Sequence, residues 1–110
     1  MKIPNEIRIA GVDYKVEYVN SLNDGSKLCY GMIDFDKCKI FLNTNETYDH
    51  QKMSIVLLHE ILHGIIENAE FQIEIEEEEK LVRMLSRGLY QVLQDNGRKL
   101  FDIVDKQDEK

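Results

Sequence analysis

The chain has 110 residues, enough for one domain (1–110) and too few for two. Its net charge is −7 and its 14 Lys and Arg are scattered, so no nucleic-acid partner is expected. No apolar run approaches the roughly 20 residues that span a bilayer, so no membrane association is expected. Residues 1–6 lack an apolar h-region, which predicts no secretory signal and a cytoplasmic protein. In that setting Cys29 and Cys38 are expected as reduced, small buried hydrophobes; their spacing does not match a metal knuckle.

Ile7, Ile9, Val12, Tyr14, Val16 and Tyr18 alternate with polar residues around Gly11, which predicts a hairpin. Residues 20–26, rich in Asn, Asp, Ser and Gly, read as a loop. A strand over 28–35, a tight turn near Asp36-Lys37 and a strand over 38–42 follow. Pairing about that turn puts Ile33, Phe35, Cys38, Ile40 and Leu42 on one face. The two hairpins predict an antiparallel N-terminal sheet packed on helices.

After Asn43 the apolar period lengthens to that of a helix. The segment Asn43-Thr44-Asn45-Glu46-Thr47 offers capping side chains for a helix over 49–68. Met53, Val56, Leu57, Ile61, Leu62, Ile65 and Ile66 form a stripe wide enough for a largely covered helix. A short acidic connector leads to a second helix over 75–95, with Leu81, Val82, Leu85, Leu89, Val92 and Leu93 on its buried side and Asn96-Gly97 as its stop. Residues 107–110 are expected to fray. The fold class is α+β.

The segment with chemical content is His59-Glu60-Ile61-Leu62-His63. Helical residues four apart share a face, so two imidazoles at this spacing can hold one metal ion, zinc being the expected one. Glu60 points to the neighbouring side, where it can take a proton from a water that zinc activates. Two histidines and a glutamate on so apolar a helix are costly to bury without partners, and a metal is such a partner.

A catalytic zinc site commonly has three protein ligands. His50 lies nine residues before His59, roughly 13 Å along a helix axis, and reads as a surface or capping residue. Most of Glu74, Glu76, Glu77, Glu78 and Glu79 suit a helix N-terminus. Glu79, three residues before Val82 and six before Leu85, extends the buried stripe and is the favoured third ligand. Glu78, four before Val82, is the alternative. Tyr30, Tyr48 and Tyr90 can in principle donate to an oxyanion, but packing is their expected role.

With a strand-rich start, His59-Glu60-Ile61-Leu62-His63-Gly64, and then the helix from Glu79-Lys80-Leu81-Val82-Arg83-Met84 to Asn96, nearly the whole chain resembles the small zincin-type metallopeptidases of bacteriophages and prophages. It is more distantly similar to the ImmA/IrrE family. The resemblance implies a minimal zincin-like fold, His59 and His63 as zinc ligands, Glu60 as general base and Glu79 as third ligand. It also implies cleavage of a protein substrate, a regulator in those members known to act. The hairpin over 28–42 is then the candidate edge for pairing with substrate. Two other readings remain: a non-catalytic metal-binding or protein-interaction module, and an interaction protein without metal.

Overall fold

The computed structural model describes residues 2–24, 27–45 and 49–108, and the side chains of 2–23, 29–45 and 49–100. The elements run β1 (Glu6–Ile9), β2 (Val12–Val19), β3 (Asn23–Asp24), β4 (Lys27–Leu28), β5 (Gly31–Asp34), β6 (Lys39–Asn43), α1 (His50–Asn68) and α2 (Ile75–Asp108). The protein is α+β, with a four-stranded mixed sheet and two helices.

Ala10 and Gly11 turn the first hairpin with φ of 52° and 83°. A two-residue loop with both φ positive matches the right-handed twist of its flanking strands. Asp34 closes the second hairpin, its Oδ1 accepting the Asp36 and Lys37 N–H groups at 3.0 and 2.9 Å. Both predicted hairpins form, but the sheet they build is not antiparallel. Its order is β1-β2-β6-β5, and β2 runs parallel to β6, pairing Val16 with Ile40 and Tyr18 with Leu42. Between β2 and β5, β3 pairs with β4, the first within the stretch read as a loop and the second just after it; residues 25 and 26 lie outside the described residues. The Asn43 N–H bonds to the Tyr30 carbonyl and the Thr44 N–H to the Val19 carbonyl, so the end of β2, the start of β5 and the end of β6 share one end of the sheet. Strand β5 then runs antiparallel to β2 along the outer edge, and β6 turns back between them in the direction of β2. Strand β6 is thereby central, with Ile40 and Leu42 fully buried. Phe35, expected on the same face, is largely exposed beyond the end of β5.

Asp49 caps α1, its Oδ1 accepting the Gln51 and Lys52 N–H groups at 2.9 and 3.1 Å. The earlier polar residues are used otherwise. Asn43 Nδ2 donates to the Cys29 carbonyl at 2.9 Å, and Thr44 Oγ1 to the Val19 carbonyl at 3.0 Å. Glu46 and Thr47 lie outside the described residues.

Helix α1 is the middle layer. Met53 and Leu57 join Ile9, Tyr14, Val16, Ile40 and Leu42 in the core on one side. On the other side lies α2, which among the described residues packs on α1 and on no other element. Among the described side chains, Val82 and Ser86 are the buried residues of α2. Leu81, Leu85, Leu89 and Val92 are exposed, contrary to the predicted buried stripe, and Leu93 is half-buried. The reason is the face that α2 turns to α1: Glu79, Val82, Ser86, Tyr90 and Leu93, three or four residues apart, are buried or half-buried, and Leu81, Leu85, Leu89 and Val92 lie on the flank, about 100° around the helix from them. Nor does α2 stop at Asn96-Gly97; it runs on to Asp108, and residues 109 and 110 of the end expected to fray lie outside the described residues. Gly97 sits within the helix without positive φ, and Asn96 Nδ2 donates back to the Val92 carbonyl at 3.1 Å. No helix is long and apolar enough to cross a membrane among the described residues.

Candidate metal site

The site forms where the start of α2 meets the second half of α1. After Asn68 the chain turns through Glu70, whose φ is 55°, and α2 doubles back along α1. Its first turn thereby faces the third and fourth turns of α1. His59 and His63 are one helical turn apart, with ring centroids 4.8 Å apart and planes at 64°. Their Nε2 atoms converge to 3.2 Å. Glu79 spans the pair, with Oε1 2.9 Å from His59 Nε2 and Oε2 3.0 Å from His63 Nε2. Both imidazole side chains are largely covered, at 18% and 16% exposure.

This geometry suits one small cation. Two ligand atoms held 2.0–2.1 Å from an ion at the tetrahedral angle lie roughly 3.3 Å apart. The three separations above are within a few tenths of an ångström of that value. The proton inventory points the same way. Glu78 Oε2 lies 2.6 Å from His63 Nδ1, so Nδ1 carries a proton and donates it. In the neutral ring, Nε2 of His63 is then an acceptor, yet it faces the Glu79 carboxylate and His59 Nε2. Lone pairs confront one another unless a further proton or a cation sits between them. Burial, the largest influence on His59, lowers its pKa; Glu79 opposes this. A neutral imidazole is the ligand form.

Glu60, one residue from His59, is not one of the converging ligands; it is buried, at 7% exposure, where α1 meets β5. The Ile33 N–H donates to it. In β5 the Asn43 N–H bonds to the Tyr30 carbonyl, which makes residues 31 and 33 the ones whose N–H groups point away from β6. Glu60 therefore takes an outward-facing group of the edge strand. Its pKa is raised to about 7, chiefly by burial and further by Glu79, with His63 and the Ile33 N–H acting against the shift. A carboxyl poised near neutrality suits proton transfer.

The structure thus brings His59, His63 and Glu79 together, with their ligand atoms within 4.8 Å of one another. It separates Glu78, which reaches only the far nitrogen of His63. His50 is the exposed first residue of α1, away from the cluster. Tyr30 is exposed and Tyr90 half-buried, neither in the cluster; Tyr48 lies outside the described residues.

Two contributors escaped sequence reasoning. Gly31 lets β5 approach α1 closely: a Cβ there would lie 2.5 Å from Val56 Cγ1 and 3.4 Å from Glu60 Cγ. A glycine inside a strand pattern is the signal that marks such an approach. Arg83 Nη2 lies 3.8 Å from Glu79 Oε1, and the i,i+4 spacing foreshadows the pair. The chain matches no family model, no curated protein and no solved structure with which it was compared.

Proposed function

We propose that the protein is a zinc-dependent metallopeptidase of minimal zincin-like build, with His59, His63 and Glu79 as the metal ligands and Glu60 as the general base. The observation that carries the reading is the convergence of two Nε2 atoms and one carboxylate on a single point, facing one another at 2.9–3.2 Å. A zinc ion held there supplies Lewis acidity and makes water nucleophilic at neutral pH. The chain's own residues do the rest. His59 and His63 present neutral nitrogens, and Glu79 supplies negative charge. A Glu60 carboxylate oxygen receives the proton of the attacking water and returns it to the departing amine. The outer edge of β5, beside Glu60, offers backbone groups to an extended peptide, so the substrate is a protein or peptide segment that can add a strand. By the resemblance in sequence, a regulator tied to a phage or mobile element is the proposed class of target.

A second reading is a non-catalytic metal-binding or interaction module. It is favoured by the burial of Glu60 and its engagement with the Ile33 N–H. One variant separates the two. Glu60→Gln keeps zinc and abolishes hydrolysis of a fluorogenic peptide library if the enzyme reading holds; cleavage that persists in the variant refutes it. Zinc below about 0.2 per chain in protein purified without chelator refutes the enzyme and the metal-binding module alike and favours an interaction protein without metal.

A further inference from the structure

Two adjacent glutamates of α2 touch the same imidazole ring from different sides. Residues 78 and 79 project about 100° apart around the helix. Glu79 meets His63 at Nε2, at 3.0 Å, and Glu78 meets it at Nδ1, at 2.6 Å. The second contact is the shorter, and the Glu78 side chain is the better covered, at 25% exposure against 42%. A short bond from a ring N–H to a shielded carboxylate is strong and directional.

We propose that Glu78 is a positioning residue for the metal site: it holds the proton of His63 on Nδ1, fixes the ring's orientation and leaves Nε2 free to bind metal. This rests on the reading of His59, His63 and Glu79 as ligands. Without Glu78 the ring is free to carry its proton on Nε2, where it blocks a ligand position. It is also free to rotate, because no other side chain among the described hydrogen bonds holds Nδ1. The charge balance fits as well. Two carboxylates, one bound and one behind His63, neutralise a divalent ion in a partly covered site. Of the acidic first turn of α2, Glu76 and Glu77 are exposed and make no contact with either histidine in the described network.

The test has two readouts on the full chain. Zinc affinity is measured by competition with a chromophoric chelator for wild type, Glu78→Ala, Glu78→Gln, Glu79→Ala and Glu77→Ala. Replacing such a supporting partner weakens metal binding by roughly 10–100-fold. Glu78→Ala is expected to show that loss with one site per chain retained. Glu78→Gln, whose amide oxygen still accepts from Nδ1–H, recovers most of it. Glu77→Ala removes the same charge without touching His63 and stays within about threefold of wild type. Independently, 15N NMR of metal-free protein near pH 8 reports the His63 tautomer, expected as Nδ1–H in wild type and shifted toward Nε2–H in Glu78→Ala. Wild-type affinity in Glu78→Ala together with an unchanged tautomer overturns the assignment while leaving the metal site intact. An equal loss in Glu77→Ala shows a general charge effect and overturns it too. Wild type that binds no zinc refutes the metal site, and the tautomer measurement alone then decides the role of Glu78.

Discussion

Replacing Gly31 by alanine tests how tightly β5 is laid against α1. The new Cβ would sit 2.5 Å from Val56 Cγ1, 3.2 Å from the Phe41 carbonyl oxygen and 3.4 Å from Glu60 Cγ. Carbon atoms pack at about 3.5–4.0 Å, so the first contact demands a separation of roughly 1 Å. Val56 cannot easily yield, because a β-branched side chain in a helix has one strongly preferred rotamer. Either β5 moves outward or Val56 leaves its rotamer, and overpacking of this kind costs about 1–3 kcal/mol. The entropic gain of alanine over glycine returns about 0.4–1 kcal/mol. The net expectation is a loss of about 1–2 kcal/mol, read from urea unfolding of metal-free protein at constant m-value. Val56→Ala removes the obstructing methyl. Gly31→Ala in that background should therefore be neutral or stabilising, giving a coupling energy of about 1 kcal/mol or more in the double-mutant cycle. Strict additivity, or a Gly31→Ala protein as stable as wild type, refutes the close approach. The single variant should also keep its zinc, since the proposed ligands lie on α1 and α2, while peptide hydrolysis falls because the strand beside Glu60 is displaced.

Glu60 sets a pH dependence of the metal-free protein. Its carboxyl is held at about 7 against an ordinary 4.5, so the folded state binds the proton more tightly than the unfolded chain. The associated stability is fully present below about 4.5 and is lost as pH rises through about 7. Glu60→Gln should match wild type near pH 4.5 and exceed it by up to about 3 kcal/mol at pH 8.5; a difference independent of pH refutes the burial argument. Ala10 adopts φ of 52°, a conformation that favours Gly or Asn. Ala10→Gly or Ala10→Asn should raise stability by about 1 kcal/mol in the same unfolding assay, and a loss of stability would contradict the turn described. Zinc at one hundred times its dissociation constant should stabilise the fold by about 2.7 kcal/mol. In thermal denaturation this shift should vanish in His59→Ala and persist in Glu60→Gln.

Much of the local structure was legible in the chain. The alternation about Gly11 marked the first hairpin, Asp36-Lys37 marked the second, and the change of period after Asn43 marked α1 to within one residue of its start. That His59 and His63 share a face follows from their spacing of four, since the helix repeats every 3.6 residues. These features depend on bonds between near neighbours, so a short window of sequence contains their causes.

Other features depend on which surfaces meet, and no short window contains that. Parallel pairing of β2 with β6 arises because β5 takes the outer edge and β6 turns back between it and β2, and either direction presents the same apolar face to the helix. Leu81, Leu85, Leu89 and Val92 form an apolar stripe beside the face of α2 that meets α1, so Val82 and Ser86 are buried while those four are not. Asn96-Gly97 reads as a stop only if the helix has no reason to continue past it. Helical period favours Glu79 over Glu78 as the inward-facing carboxylate but leaves both near the buried face; the angle at which α2 returns over α1 decides which nitrogen of His63 each one meets. Periodicity specifies what lies on a common face of an element. Which partner covers that face, and how far along, follows from the lengths and crossing of whole elements, because packing contacts join residues far apart in the chain.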